Sequence, residues 1–244
     1  MYNNKKGENG MKAIFKFVKF VLVMIIILII FVGGTITYQG YNLYKEKITE
    51  ISLEQRVEDI KLKENYVKYD DIPETFVNAI VSIEDRRFFT HKGIDIQSIG
   101  RAFINNFEKK EIAEGGSTIT QQLSKNMYFT QEKKFLRKVA EVFMSLKLEE
   151  NYSKEDIIEM YLNIIYFGDG YYGIYQASQG YFNKEPKELD LNEITLLAGL
   201  PNAPSAYALS NENELSKQRQ HMVIDAMVDN NCMTELEAQE LKNN

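Results

Sequence analysis

The sequence predicts a mainly α-helical domain behind one N-terminal apolar helix. Three observations carry this. The run from Phe20 to Tyr44 contains no charged residue. Helix-start signatures recur beyond it. Alternating apolar and polar residues, the mark of half-buried strands, are almost absent.

The apolar run comes first. "FVLVMIIILIIFVGG" is long enough to cross a bilayer at 1.5 Å per residue. Lys5, Lys6, Lys12, Lys16 and Lys19 precede it, against Glu8 alone. Positive charge stays cytoplasmic, so the following domain is expected outside. No alanine lies between Ala13 and Ala79, so the small-residue pattern of a cleavage site is missing. The expectation is an uncleaved anchor: a basic tail over 1–19, a membrane helix over 20–40, and a stalk or amphipathic helix over 41–70.

From Asp71 onward the chain reads as capped helices. "DIPE" (71–74) offers Asp71 as N-cap with Pro73 in the first turn. "SKED" (153–156), "DLNE" (190–193) and "TELE" (234–237) repeat the signature. Pro201 is expected to stop the helix through "ITLLAGL". The domain is read over 71–212, with a helical tail over 213–244 that shows no evident catalytic content.

Composition narrows the chemistry. The net charge is −6, which argues against general nucleic-acid binding. Cys232 is the one cysteine and the histidines are His91 and His221, so there is no internal disulfide and no Cys₄ or Cys₂His₂ metal site.

Four stretches carry unusual chemistry. "EDRRFFTHKGID" (84–95) sets Glu84 and Asp85 against Arg86 and Arg87. It reads as a salt-bridged turn or as a carboxylate held in a groove. "EGGSTITQQLSKNMYF" (114–129) sets a Gly pair, Ser117 and Thr118 at a helix start, where free N–H groups and the helix dipole suit an anion. Gln121, Gln122, Lys125 and Asn126 follow at helical spacing. The plain alternative is a loop and an N-cap. "EKKFLRKVAEVFMSLKLEE" (132–150) has an apolar stripe of Phe135, Val139, Val142, Phe143 and Leu146. Lys134, Arg137, Lys138, Glu141 and Ser145 fall on the other side, and Arg137, Lys138 and Glu141 share a face. That face is either a solvated ion pair or, with Lys125 and Lys133, a basic cluster for phosphate. "YLNIIYFGDGYYGIYQASQGYF" (161–182) is a sugar-binding wall or a glycine-punctuated packing loop, and "LLAGLPNAPSAY" (196–207) looks structural or membrane-facing.

Taken together and in this order, "EDRRFFTHKGID", "GGSTITQQLSKN", "RKVAE" and "YLNIIYFGDGYYGI" resemble the peptidoglycan glycosyltransferases of glycosyltransferase family 51. The resemblance covers about 70–210. It implies a lysozyme-like helical domain that polymerises lipid II. The single domain behind an anchor, with neither S-x-x-K nor K-T-G, is similar to the monofunctional members, without transpeptidase activity. Asp169 and Asn183 depart from the family pattern, away from the acids.

The resemblance implies Glu84 as the general base on the acceptor's 4-hydroxyl and Glu141 as the acid at the sugar–pyrophosphate end. Two carboxylates flanking a glycosidic centre suit transfer with inversion. Pyrophosphate is already a good leaving group and needs charge neutralisation more than a strong proton donor, which suits a Glu141 kept ionised by Arg137 and Lys138. Asp85, Arg86, Ser117, Gln121, Lys125, Asn126, Lys133, Arg137 and Lys138 are the implied substrate-binding residues. No motif demands a metal, and the resemblance leaves room for a divalent cation, Mg or Mn. The implied partners are lipid II, the lipid-pyrophosphate-linked glycan chain, the membrane and other cell-wall synthesis proteins such as transpeptidases, with no nucleic acid. Competing functions are a lysozyme-like glycan-cleaving enzyme and a non-catalytic cell-wall scaffold.

Overall fold

A computed structural model of the chain describes residues 3–109, 116–129, 134–211 and 214–243. These are mainly α-helical, and their only β pairings are two isolated bridges, Lys92 with Ile94 and Tyr166 with Tyr172. The helices in chain order are α1 (Asn3–Glu50), α2 (Leu53–Lys61), α3 (Glu74–Glu84), α4 (Ile96–Lys109), α5 (Ile119–Tyr128) and α6 (Lys134–Asn151). There follow α7 (Lys154–Ile164), α8 (Ile174–Phe182), α9 (Leu191–Gly199), α10 (Pro204–Tyr207), α11 (Glu214–Asp229) and α12 (Glu235–Asn243).

The first helix does not end where the apolar run ends. It continues unbroken from the apolar run into the segment expected as a stalk. The portion Ile14–Glu50 is long and apolar enough to cross a membrane, and its most apolar window, with a mean hydropathy of 2.9, is wholly unburied. Beyond it, α1 packs on α6. Gly40 makes this possible, because a Cβ there would lie 2.5 Å from Val139 Cβ. Tyr41 and Tyr44 then meet the Phe143 ring at 5.2 and 6.0 Å. The apolar stripe of α6 therefore serves α1 rather than the core, and Phe135 at its start is 83% exposed. Of the residues expected on the polar side, Glu141 and Ser145 turn inward with Ala140, Met144 and Leu148, while Lys138 stays exposed.

One hydrophobic core runs from Leu53 to Ala238. It takes in Leu53, Val57 and Ile60 of α2, which cover the far side of α7. It also takes in Val223, Ile224 and Met227 of α11, which packs against α3 and α9. Neither the expected stalk nor the expected tail stands apart from the domain. Their apolar residues recur at helical spacing and have nowhere else to be buried.

Ser153 and Asp156, and Asp190 and Glu193, form reciprocal capping boxes, as the sequence suggests. Thr234 and Glu237 exchange the same bonds at α12. Asp71 does not cap α3: it closes a short 3₁₀ turn, and Pro73 precedes the helix without a side-chain cap. The helix through "ITLLAGL" stops at Gly199, and Pro201 lies in the 3₁₀ turn that follows. Asp169 and Asn183 both adopt positive φ, 51° and 54°. Asn and Asp tolerate that region better than other non-glycine residues.

Candidate active site

The loop after α3 is pinned from two sides. Gly93, at φ 79°, presents its carbonyl to Thr118 Oγ1 at 2.7 Å, and a Cβ there would sit 3.1 Å from the Ser145 backbone of α6. Only glycine combines that φ with so close an approach. Arg87 forms a two-pronged pair with the buried Asp95, which also accepts from the Ser98 N–H and hydroxyl. Hydrogen bonds from Arg87, then from Ser98, hold the Asp95 carboxyl well below the usual carboxylate range, against the opposing pull of burial. The salt-bridged turn therefore exists, and it is Arg87 with Asp95 that makes it.

Glu84 is not part of that turn. It ends α3, its side chain is 8% exposed, and it faces two other helices. Gln122 Nε2 of α5 donates to its Oε2 at 2.8 Å. Arg219 Nη2 of α11 donates to its Oε1 at 3.2 Å. Gln122 Oε1 in turn accepts from the Tyr161 hydroxyl of α7 at 3.1 Å. Burial first, then the Glu84 and Asp85 charges, push the Tyr161 phenol well above its ordinary range, so it stays a donor.

Asp85 points the other way. Its buried carboxylate accepts from the Ile119 N–H at 2.9 Å and lies 2.8 Å from His91 Nε2. An ionised carboxylate only accepts, so the His91 proton is on Nε2. The start of α5 is thus occupied by the protein itself. Asp85 takes the Ile119 N–H, Thr118 Oγ1 takes the Gln121 N–H, and Gln121 Oε1 takes the Thr118 N–H. Of the two readings of this stretch, anion site or loop and N-cap, these bonds make the N-cap. Gln121 is buried in this capping box, and its neighbour Gln122 is the glutamine that reaches the acid.

Glu141 is 2% exposed and lies between two cations of its own helix. Arg137 Nε is 3.0 Å from Oε1 and Lys138 Nζ is 3.0 Å from Oε2. Lys138 Nζ also donates to Ser117 Oγ at 2.7 Å, just before α5. Glu84 therefore meets α5 through Gln122, and Glu141 meets the residue two before the start of α5 through Lys138 and Ser117. Arg86 and Lys125 are exposed, Asn126 is half-buried, and Lys133 lies outside the described residues. No group of three or more His, Cys, Asp or Glu side chains suited to a metal occurs among the described residues.

The family model described as transglycosylase matches residues 44–228. The chain belongs to the transglycosylase family. The match begins within the last part of α1 and ends in α11, so it includes Arg219 as well as both acids. The chain is 44% identical over 172 residues to penicillin-binding protein 1F of Bacillus subtilis, covering 70% of this chain and 24% of that protein. It is 44% identical over 181 residues to penicillin-binding protein 1A of Aquifex aeolicus, covering 74% and 25%. Against penicillin-binding protein 1A of Neisseria cinerea the identity is 41% over 172 residues, covering 70% and 22%. This transglycosylase chain spans about a quarter of the length of these curated relatives. Among solved structures it is similar to penicillin-binding protein 1A from Haemophilus influenzae, at 22% identity and a TM-score of 0.41, over 72% of this chain and 17% of that one.

Sequence reading missed two residues of this site. Gln122 stands in a polar run where only the helix phase separates it from Gln121. Arg219 lies in the tail, where the available signal is the spacing of Val223, Ile224 and Met227, which sets one face of α11 against the core.

Proposed function

We propose that this chain is a membrane-anchored peptidoglycan glycosyltransferase. It polymerises lipid II into β-1,4-linked glycan strands and releases undecaprenyl pyrophosphate. Its anchor is α1, with the N-terminus cytoplasmic and the helical domain outside. Neither S-x-x-K nor K-T-G occurs in these 244 residues, and the activity proposed for them is glycosyl transfer alone.

Glu84 takes the proton from the 4-hydroxyl of the acceptor's N-acetylglucosamine as that oxygen attacks the anomeric carbon of the donor chain. The bond from that carbon to the pyrophosphate breaks on the opposite face, with inversion. Arg137 and Lys138 meet the charge that develops on the leaving pyrophosphate, joined by Lys125 and Lys133. Glu141 holds those two cations in register and keeps their charge beside Ser117. Arg86 and Asn126 bind the substrate directly. Asp85 and Gln121 act on it indirectly, by fixing the start of α5.

The observation that carries this reading is the setting of Glu84. In a transglycosylase domain, a largely buried carboxylate has its oxygens bound by Gln122 and Arg219 and so is held in one orientation. The test is incubation of the purified full chain with lipid II and gel analysis of the products. Glycan strands are expected, and cleavage of mature strands without polymerisation would instead favour a glycan-cleaving enzyme. Glu84→Gln keeps the shape but cannot accept the proton, so polymerisation should fall by about 10²–10⁴-fold while lipid II binding survives. Glu141→Gln should retain more activity than Glu84→Gln. The reverse order would exchange the two roles.

A further inference from the structure

We infer that Arg219 is a positioning residue for Glu84, supplied by the helix that follows the expected catalytic segment. The inference rests on the base role proposed for Glu84. Three observations carry it. Arg219 Nη2 lies 3.2 Å from Glu84 Oε1, and both side chains are largely buried, 12% and 8% exposed. Arg219 Nε also donates to the Gly199 carbonyl at the end of α9, 3.3 Å away. Gly199 carries no side chain where Arg219 crosses it, and a Cβ there would lie 2.9 Å from Arg219 Cγ. The arginine is thus clamped between α9 and α3 rather than laid on a surface.

The chemistry follows from this placement. A carboxylate moved out of water is disfavoured as an ion unless a partner compensates. The charged or titratable groups facing Glu84 are Arg219 of α11, Asp85 next in the chain and the Tyr161 phenol of α7. Of these, Arg219 alone is a cation. It places a positive charge 3.2 Å from Glu84 Oε1. With Gln122 on the other oxygen, it also fixes the carboxylate plane. The lone pairs that remain are aimed by two helices at once. Arg219 acts through Glu84 and the end of α9, the two groups its guanidinium meets. Its contribution is to orientation and charge, and a base displaced by about 1 Å loses roughly 10²-fold in rate.

The test uses the full chain in detergent with lipid II. Arg219→Ala should lower kcat by roughly 10–100-fold, with KM for lipid II within about twofold, because uniform binding is untouched. Guanidinium ion added to Arg219→Ala should restore part of the rate. Urea, of the same shape without the charge, should not. Arg219→Lys should keep more activity than Arg219→Ala, and guanidinium should do nothing for Glu84→Gln. A wild-type kcat in Arg219→Ala, with Glu84→Gln inactive, overturns the positioning role and leaves the base assignment standing. Equal activity of Glu84→Gln and wild type overturns the base assignment, and the positioning role falls with it. If Arg219→Ala is slow, folded by circular dichroism, and restored by neither guanidinium nor lysine, Arg219 is structural only.

Discussion

Replacing Asp85 separates a structural acid from the proposed base one residue away. Its carboxylate is 2% exposed and serves two donors, the Ile119 N–H at 2.9 Å and His91 Nε2 at 2.8 Å. Asp85→Ala leaves both donors buried without an acceptor, at about 1–3 kcal/mol each. It also removes a negative charge from the N-terminus of α5, worth about 0.3–2 kcal/mol. The three contributions share one network and do not add in full. The expected loss is about 3–5 kcal/mol. Asp85→Asn behaves differently. The Oδ2 position accepts from both the Ile119 N–H and His91 Nε2, so an amide oxygen placed there keeps both bonds. The amide nitrogen then takes the Oδ1 position, 3.0 Å from His91 Nε2 and donor to donor, and the charge is lost, so the loss is about 1–3 kcal/mol. For a domain of this size each kcal/mol lowers Tm by about 2–4 °C. Urea unfolding followed by circular dichroism in detergent should show Cm falling in the order wild type, Asn, Ala, with m unchanged. If Asp85→Ala lies within about 0.5 kcal/mol of wild type, or Asn costs as much as Ala, this reasoning about the α5 cap is refuted.

Two further outcomes follow from the same geometry. The Asp95 carboxyl is held down by Arg87 and Ser98, so its stabilisation is fully present above the unfolded carboxylate value of about 3.9 and is lost as pH falls through the lower folded value. Asp95→Asn should therefore be less stable than wild type by about 1.5–3 kcal/mol at pH 7, and paired urea titrations should show the gap narrowing below about pH 4. An equal gap at pH 7 and pH 3 would remove the ion pair as its cause. Gly40→Val drives a side chain into Val139 and should cost about 1–3 kcal/mol of thermal stability. Gly33→Val, which meets nothing within 4 Å, serves as the control, and similar Tm values for the two variants would argue against the α1–α6 seam.

What the sequence determines by itself is local. The apolar helix is legible because length and absence of charge are properties of a contiguous run. The capping boxes at Ser153, Asp190 and Thr234 are legible because both partners lie three residues apart. The approach of Arg137 and Lys138 to Glu141 follows from helical spacing alone, and the assembled motifs point to the family. What only the tertiary structure decides is which way each helix turns and what arrives from afar. Glu84 and Arg219 are 135 residues apart in the chain, and no local rule relates them. Gln121 and Gln122 are chemically identical neighbours whose fates diverge because successive residues on a helix point about 100° apart, one into its own cap and one toward the acid. The apolar stripe of α6 is taken up by α1, which offers it a glycine and two tyrosines. The buried side is then free to hold Glu141 and Ser145. Periodicity fixes which residues share a face, while the choice of which face is buried belongs to the partners that the rest of the chain brings against it.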